Sequence, residues 1–139
     1  MKPNLIKDYV ETGKVRFEFR DYAFRGPDAL LAAQAAACAN DQGAFWSFHD
    51  TLFANQRAPE GFSNARLKQI AESLKLDMPA FNSCLDSGAK KAEVEKEISE
   101  GQAQGVDSTP TLFVNGVEAP WSPWEELKKT IDAALAEGS

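Results

Sequence analysis

The sequence predicts an α/β fold in which both ends of the chain build one small sheet and a long helical stretch is inserted between them. Three observations predict it. Residues 14–20, KVRFEFR, set Val15, Phe17 and Phe19 in alternation with Arg16, Glu18 and Arg20. Period 2 with β-branched and aromatic residues describes a strand with one face buried and one wet. Residues 28–105 carry almost only helical patterns. The chain then returns to a short apolar run, an Asn-Gly pair and a second short run, which together read as a tight hairpin ahead of a last helix. The strand at 14–20 needs that hairpin for partners, so two separate domains are disfavoured.

The elements follow in order. PNLIKDYVET, residues 3–12, reads as a helix end, with Leu5, Ile6, Tyr9 and Val10 on one face and Gly13 as the stop. After the strand, FRGPDA turns the chain at Gly26 and Pro27. DALLAAQAAACAN is Ala-rich, as suits a helix closely packed by its neighbours. AFWSFHDTLFAN places Phe45, Phe48 and Leu52, and Trp46, His49 and Phe53, at three- and four-residue intervals, which gives a broad apolar surface. The loop QRAPEGF follows. Ser63 is placed to cap a helix carrying Leu67, Ile70, Ala71 and Leu74, and Asp77 to cap the short helix MPAFNSCLD.

KKAEVEKEISEGQAQ is the most charged helix, with Val94 and Ile98 inward and Gly105 as its stop. TLFV and VEA are the hairpin strands, and Asn115-Gly116 between them favours a type I′ turn. Ser122, Pro123 and Glu125 read as a capping box with proline at the first helical position. The last helix carries Trp124, Leu127, Ile131, Ala134 and Leu135.

Composition bounds the partners. The 139 residues suit one domain by length. A net charge of −6 and a pI near 4.8 disfavour a nucleic-acid partner, which needs a basic surface. The longest nearly apolar stretch, Ala29–Ala39, is too short to span a bilayer, so no membrane insertion is expected. MKPNLIKDYV has no apolar segment of the secretory kind. There are two cysteines, Cys38 and Cys84, no C-x-x-C, and one histidine, His49. That inventory falls short of a tetrahedral zinc site, and no metal or cofactor is expected.

Four stretches carry a resemblance. YVETGKVRFEFRDYAF, AAACANDQGAFWSFHDTLFANQ, FNSCLDSG and GVDSTPTLFVNG occur in that order across nearly the whole chain. With them the chain resembles the DsbA-like branch of the thioredoxin superfamily, the bacterial extracytoplasmic thiol–disulfide oxidoreductases. The resemblance implies a thioredoxin-like core from residues 1–27 and 106–139 with an inserted helical domain at 28–105. It implies protein or peptide thiols and disulfides as substrates, and a periplasmic or cell-envelope location.

The family's catalytic C-x-x-C follows the first strand, at a helix N-terminus that stabilises a thiolate. One thiolate attacks the substrate disulfide and the second resolves the mixed disulfide. That strand and both cysteines have no match here, so the chain as given is expected to be inactive in dithiol exchange. The expected origin is an N-terminally truncated form. In the family the first strand lies between those matched by 14–20 and 111–114. Without it the sheet closes directly, another chain supplies a strand, or the natural protein starts earlier, the last being the favoured expectation; a homodimer through the open sheet edges is the expected self-association. The alternative reading is a redox-inactive thioredoxin-like module that binds a peptide or protein.

The resemblance also assigns site residues. Pro110 is expected as a cis-proline heading its strand, so that Thr109, beside Ser108, offers its backbone to an extended substrate peptide. Cys38 and Cys84 are either two small buried hydrophobes or a structural disulfide stapling the helical domain. His49 is expected to be a packed, hydrogen-bonded residue. Phe45, Trp46, Phe48 and Phe53 are expected in the core, and Trp121 and Trp124 in the packing of the last helix.

Overall fold

The computed structural model describes residues 2–59 and 61–138. The chain forms two compact units. One contains the residues up to Arg20 and those from Gly105 onward, and the other is Asp21–Gln104.

The first unit opens with α1, Lys2–Leu5, which widens directly into a π-helical turn over Ile6–Val10. Glu11 N–H donates to Ile6 C=O at 2.9 Å, a five-residue span, and Gly13 ends the turn at φ +75°. β1, Leu112–Val114, and β2, Val117–Ala119, form an antiparallel pair with Leu112 opposite Ala119 and Val114 opposite Val117. Asn115 and Gly116 join them with φ of +49° and +83°, the two positive angles of a type I′ turn. The last helix, α7, is Trp124–Glu137. Leu5, Tyr9, Ala119, Leu127 and Ile131 make the buried cluster, and Val15, Phe17, Leu112, Val114 and Trp124 pack against it.

The second unit is five helices: α2, Pro27–Asn40; α3, Phe45–Asn55; α4, Asn64–Ser73; α5, Met78–Asp86; and α6, Lys91–Ala103. Every residue of α2 from Ala32 to Ala39 is buried, because alanines let neighbours approach from all sides. Ser63 Oγ accepts from Arg66 N–H at 3.2 Å and Asp77 Oδ1 from Ala80 N–H at 3.1 Å, so both predicted caps form. The core joins Ala35, Cys38 and Ala39 of α2 to Phe48, Leu67, Ile70, Phe81 and Leu85.

Three expectations are corrected. Residues 14–20 form no strand: among the described residues the sheet consists of β1 and β2. Their alternation survives as packing, since Val15 and Phe17 are partly buried while Arg16 and Glu18 are exposed. Ser122 and Pro123 do not make a capping box. Pro123 itself takes the N-cap position in extended conformation, with no side-chain cap bond, and its C=O accepts from Glu126 N–H at 3.1 Å. The Ser122-Pro123 bond is cis. Finally, the aromatic helix does not bury all its rings. Phe48 is fully buried against Phe81, but Trp46 and Phe53 are 41% and 53% exposed. α3 has more apolar faces than it has neighbours.

Candidate functional site

The segment entering β1 carries the residues assigned from the sequence. Asp107, Ser108, Thr109 and Pro110 are all exposed. The Thr109-Pro110 bond is cis. Two short-range bonds hold the segment: Ser108 Oγ donates to Asp107 Oδ1 at 3.1 Å, and Thr111 Oγ1 donates to Ser108 C=O at 2.7 Å. Thr109 lies between these anchors, and its own backbone N–H and C=O make no hydrogen bond among the described residues. An exposed N–H and C=O at the head of a strand are suited to pair with an extended peptide. Trp121, 48% exposed, and the half-exposed Phe113 add apolar surface to this unit.

Cys38 of α2 and Cys84 of α5 are joined in a disulfide, with Cα atoms 5.9 Å apart and a loop of 46 positions between them. Cys38 is 1% exposed and sits in the helical core. Both cysteines belong to the helical unit, whereas Ser108, Thr109 and Pro110 belong to the other. No free thiol remains among the described residues.

His49 is buried in α3. Its Nδ1 lies 3.0 Å from Asp50 Oδ1, and the rings of Phe53, Trp46 and Phe45 surround it at 4.6, 5.3 and 5.8 Å. Trp124 stacks edge-on against Tyr9 at 6.2 Å. Among the described residues, no three of His, Cys, Asp and Glu converge as a metal site, and no helix is long and apolar enough to cross a membrane.

Two features have no signature in the sequence. Asp21 lies beside Glu97 and Glu93 of α6, and its N–H donates to Glu97 Oε2 at 2.5 Å. Burial first, then the charges of Glu97 and Glu93, push its carboxyl up to about 7. The second is the bond from the Tyr9 hydroxyl to Asp132, 123 positions away. Both depend on which residues the fold brings together, which local pattern does not encode.

Comparison with known proteins agrees with this geometry. The family model described as Thioredoxin matches residues 1–133. Disulfide bond formation protein D of Bacillus subtilis is 31% identical over 139 residues, covering 96% of this chain and 63% of that protein. The crystal structure of oxidised BdbD from Bacillus subtilis superposes with a TM-score of 0.86 at 30% identity, covering 96% of this chain and 76% of that one. A segment of the Na(+)/H(+) antiporter NhaA 3 of Salinispora tropica is 35% identical over 114 residues, 81% of this chain and 17% of the antiporter. The chain thus spans less than two thirds of the length of the disulfide bond formation protein that it matches.

Proposed function

This chain belongs to the thioredoxin family, in its DsbA-like thiol–disulfide oxidoreductase branch, and from that premise we propose that it is the substrate-binding part of an extracytoplasmic protein that forms or reshuffles disulfides in other proteins. Its role is to hold an extended thiol- or disulfide-bearing peptide along Thr109. One observation carries the reading. The unpaired N–H and C=O of Thr109 are exposed between two anchored neighbours at the entry of β1. A peptide in extended form gains two backbone hydrogen bonds there without displacing any from this chain.

These 139 residues contain no C-x-x-C, and Cys38 and Cys84 hold each other across the helical core. On this reading they do not perform dithiol exchange by themselves, because attack and resolution need two neighbouring thiols that can reach substrate. The cysteine placement also favours a second reading, in which the chain is a redox-inactive module that holds a peptide or protein through the same Thr109 surface.

Two measurements on the 139-residue chain test this. In an insulin-reduction assay with dithiothreitol, the expected rate is that of the reductant alone; robust acceleration would overturn the assignment of Cys38 and Cys84 as non-catalytic. In an amide NMR titration with an extended, cysteine-blocked peptide, saturable shifts are expected at Thr109, Thr111 and their neighbours. Shifts confined to other surfaces, or none, would remove the peptide-binding role.

A further inference from the structure

α3 and α4 leave a shallow cleft of about 180 Å³ between them, lined by Thr51 and Asn55 on one side and Arg66, Gln69, Ile70 and Ser73 on the other. Only Ile70 is apolar. Arg66 supplies the charge. Its Nη2 donates to Asn55 Oδ1 at 3.1 Å, and Asn55 is itself fixed by donating through Nδ2 to Thr51 C=O at 2.8 Å. The Arg66 Nε is buried without a hydrogen-bond partner. No carboxylate among the described residues pairs with this guanidinium. In the same chain Lys68, Lys90, Lys91, Lys96, Lys128 and Lys129 each reach one, whereas Lys7, Arg25, Arg57 and Lys75 form no ion pair among the described residues, like Arg66.

The hydroxyl protons of Thr51 and Ser73 are already spent on Ser47 C=O and Ile70 C=O. The donors left to a ligand are those of Arg66 and the Gln69 amide. A guanidinium is a planar fork of five N–H groups that matches a carboxylate two-pronged. A carboxylate in the cleft would supply the charge partner that the Arg66 guanidinium lacks among the described residues.

We propose that the α3–α4 cleft is an oxyanion subsite that takes one carboxylate, with Arg66 as its fork and the Gln69 amide beside it. Its volume suits an acetate- or aspartate-sized group: either a small organic acid or the acidic side chain of a bound protein. The subsite is independent of the Thr109 surface and of any thiol chemistry.

The test follows the arginine Nε–H and side-chain amide signals of the 139-residue chain by NMR. Sodium acetate is titrated against sodium chloride at equal ionic strength. Expected are saturable shifts of the Arg66 Nε–H and the Asn55 and Gln69 amides with acetate, and only a linear drift with chloride. Arg66→Lys keeps the charge but loses the fork, and is expected to weaken binding at least about tenfold. Gln69→Leu is a second variant that leaves the fork in place, and weaker binding is expected from it too. The backbone spectra of both variants report that they are folded. A blocked tripeptide centred on Asp, set against its Asn counterpart, separates the sources. Tighter binding of the Asp peptide than of acetate assigns the site to a protein side chain, and equal binding assigns it to a small acid. Equal shifts with chloride, or full binding by folded Arg66→Lys, would overturn the proposal.

Discussion

The Tyr9 hydroxyl donates to Asp132 Oδ1 at 2.5 Å, joining the π-helical turn near the start of the chain to α7 near its end. Tyr9 is 3% exposed in the cluster with Leu127 and Ile131. Burial, then the bond to Asp132, raises its phenol above 10.0. Tyr9, then Lys128, holds the Asp132 carboxyl below 3.8. Tyr9→Ala removes a buried ring and is expected to cost about 3–5 kcal/mol in denaturant unfolding. Tyr9→Phe keeps the ring and is expected to cost less.

The pH profile of Tyr9→Phe identifies the bond. A raised phenol contributes stability that is full below 10.0 and is lost as pH rises through the folded value. A depressed carboxyl contributes stability that is present above 3.8 and is lost as pH falls through the folded value. The difference between wild type and Tyr9→Phe is therefore expected to be largest between those limits and to shrink beyond both. A difference constant from acid to alkali would show that Tyr9 acts through packing alone.

Asp21 gives the opposite sign. Its carboxyl is raised from 3.8 to about 7, so the folded protein holds a proton there that the unfolded chain releases. The groups facing it are Glu97 and Glu93, and Glu93 also lies 3.5 Å from Lys90 Nζ. Stability from this site is full below 3.8 and falls as pH rises toward 7. Asp21→Asn is expected to flatten that slope and to stabilise the protein above pH 7 by on the order of 2 kcal/mol. Urea midpoints at pH 5 and pH 8 measure it, and parallel shifts of wild type and variant would refute it.

Local pattern made most of the fold legible. Five helices lie between Arg20 and Gly105, Ser63 and Asp77 cap as their residue types dictate, and Asn115-Gly116 forms the hairpin turn. Each depends on residues a few positions apart. What stayed hidden depends on distant partners. Residues 14–20 have the alternation of a strand and no ladder, because a strand also requires a neighbour. Of the candidate site, the cis Thr109-Pro110 bond was legible through the family motif. The Arg66 cleft was not, because Asn55, Arg66 and Gln69 belong to two helices whose facing surfaces no spacing rule pairs.

Cys38 and Cys84 close a 46-position loop that ties α2 to α5. In the chain-entropy account such a loop is worth about 4 kcal/mol. Cys38→Ala/Cys84→Ala, or the reduced wild type, is expected to unfold at correspondingly lower denaturant. Cys38→Ala alone adds a free thiol at Cys84 and is expected to react with an alkylating reagent, whereas the native oxidised chain is not. Unchanged unfolding midpoints after reduction would mean that the helical core does not depend on this link.

Gly116 sets the register of the strand that Thr109 precedes. Its φ is +83°, yet a Cβ built there meets nothing within 4 Å. Substitution is therefore costly through backbone conformation and not through collision. Gly116→Val forces a β-branched residue into the left-handed region, at about 1–2 kcal/mol. Gly116→Asn, which tolerates that region, is expected to cost much less. Because Val114 pairs with Val117 and Leu112 with Ala119, loosening the turn is expected to speed amide hydrogen exchange at β1 in Gly116→Val more than in Gly116→Asn. Peptide-induced shifts at Thr109 are expected to weaken in the same order. Equal exchange in both variants would show that the register of β1 is held by its packing against Leu127 and Ile131 and not by the turn.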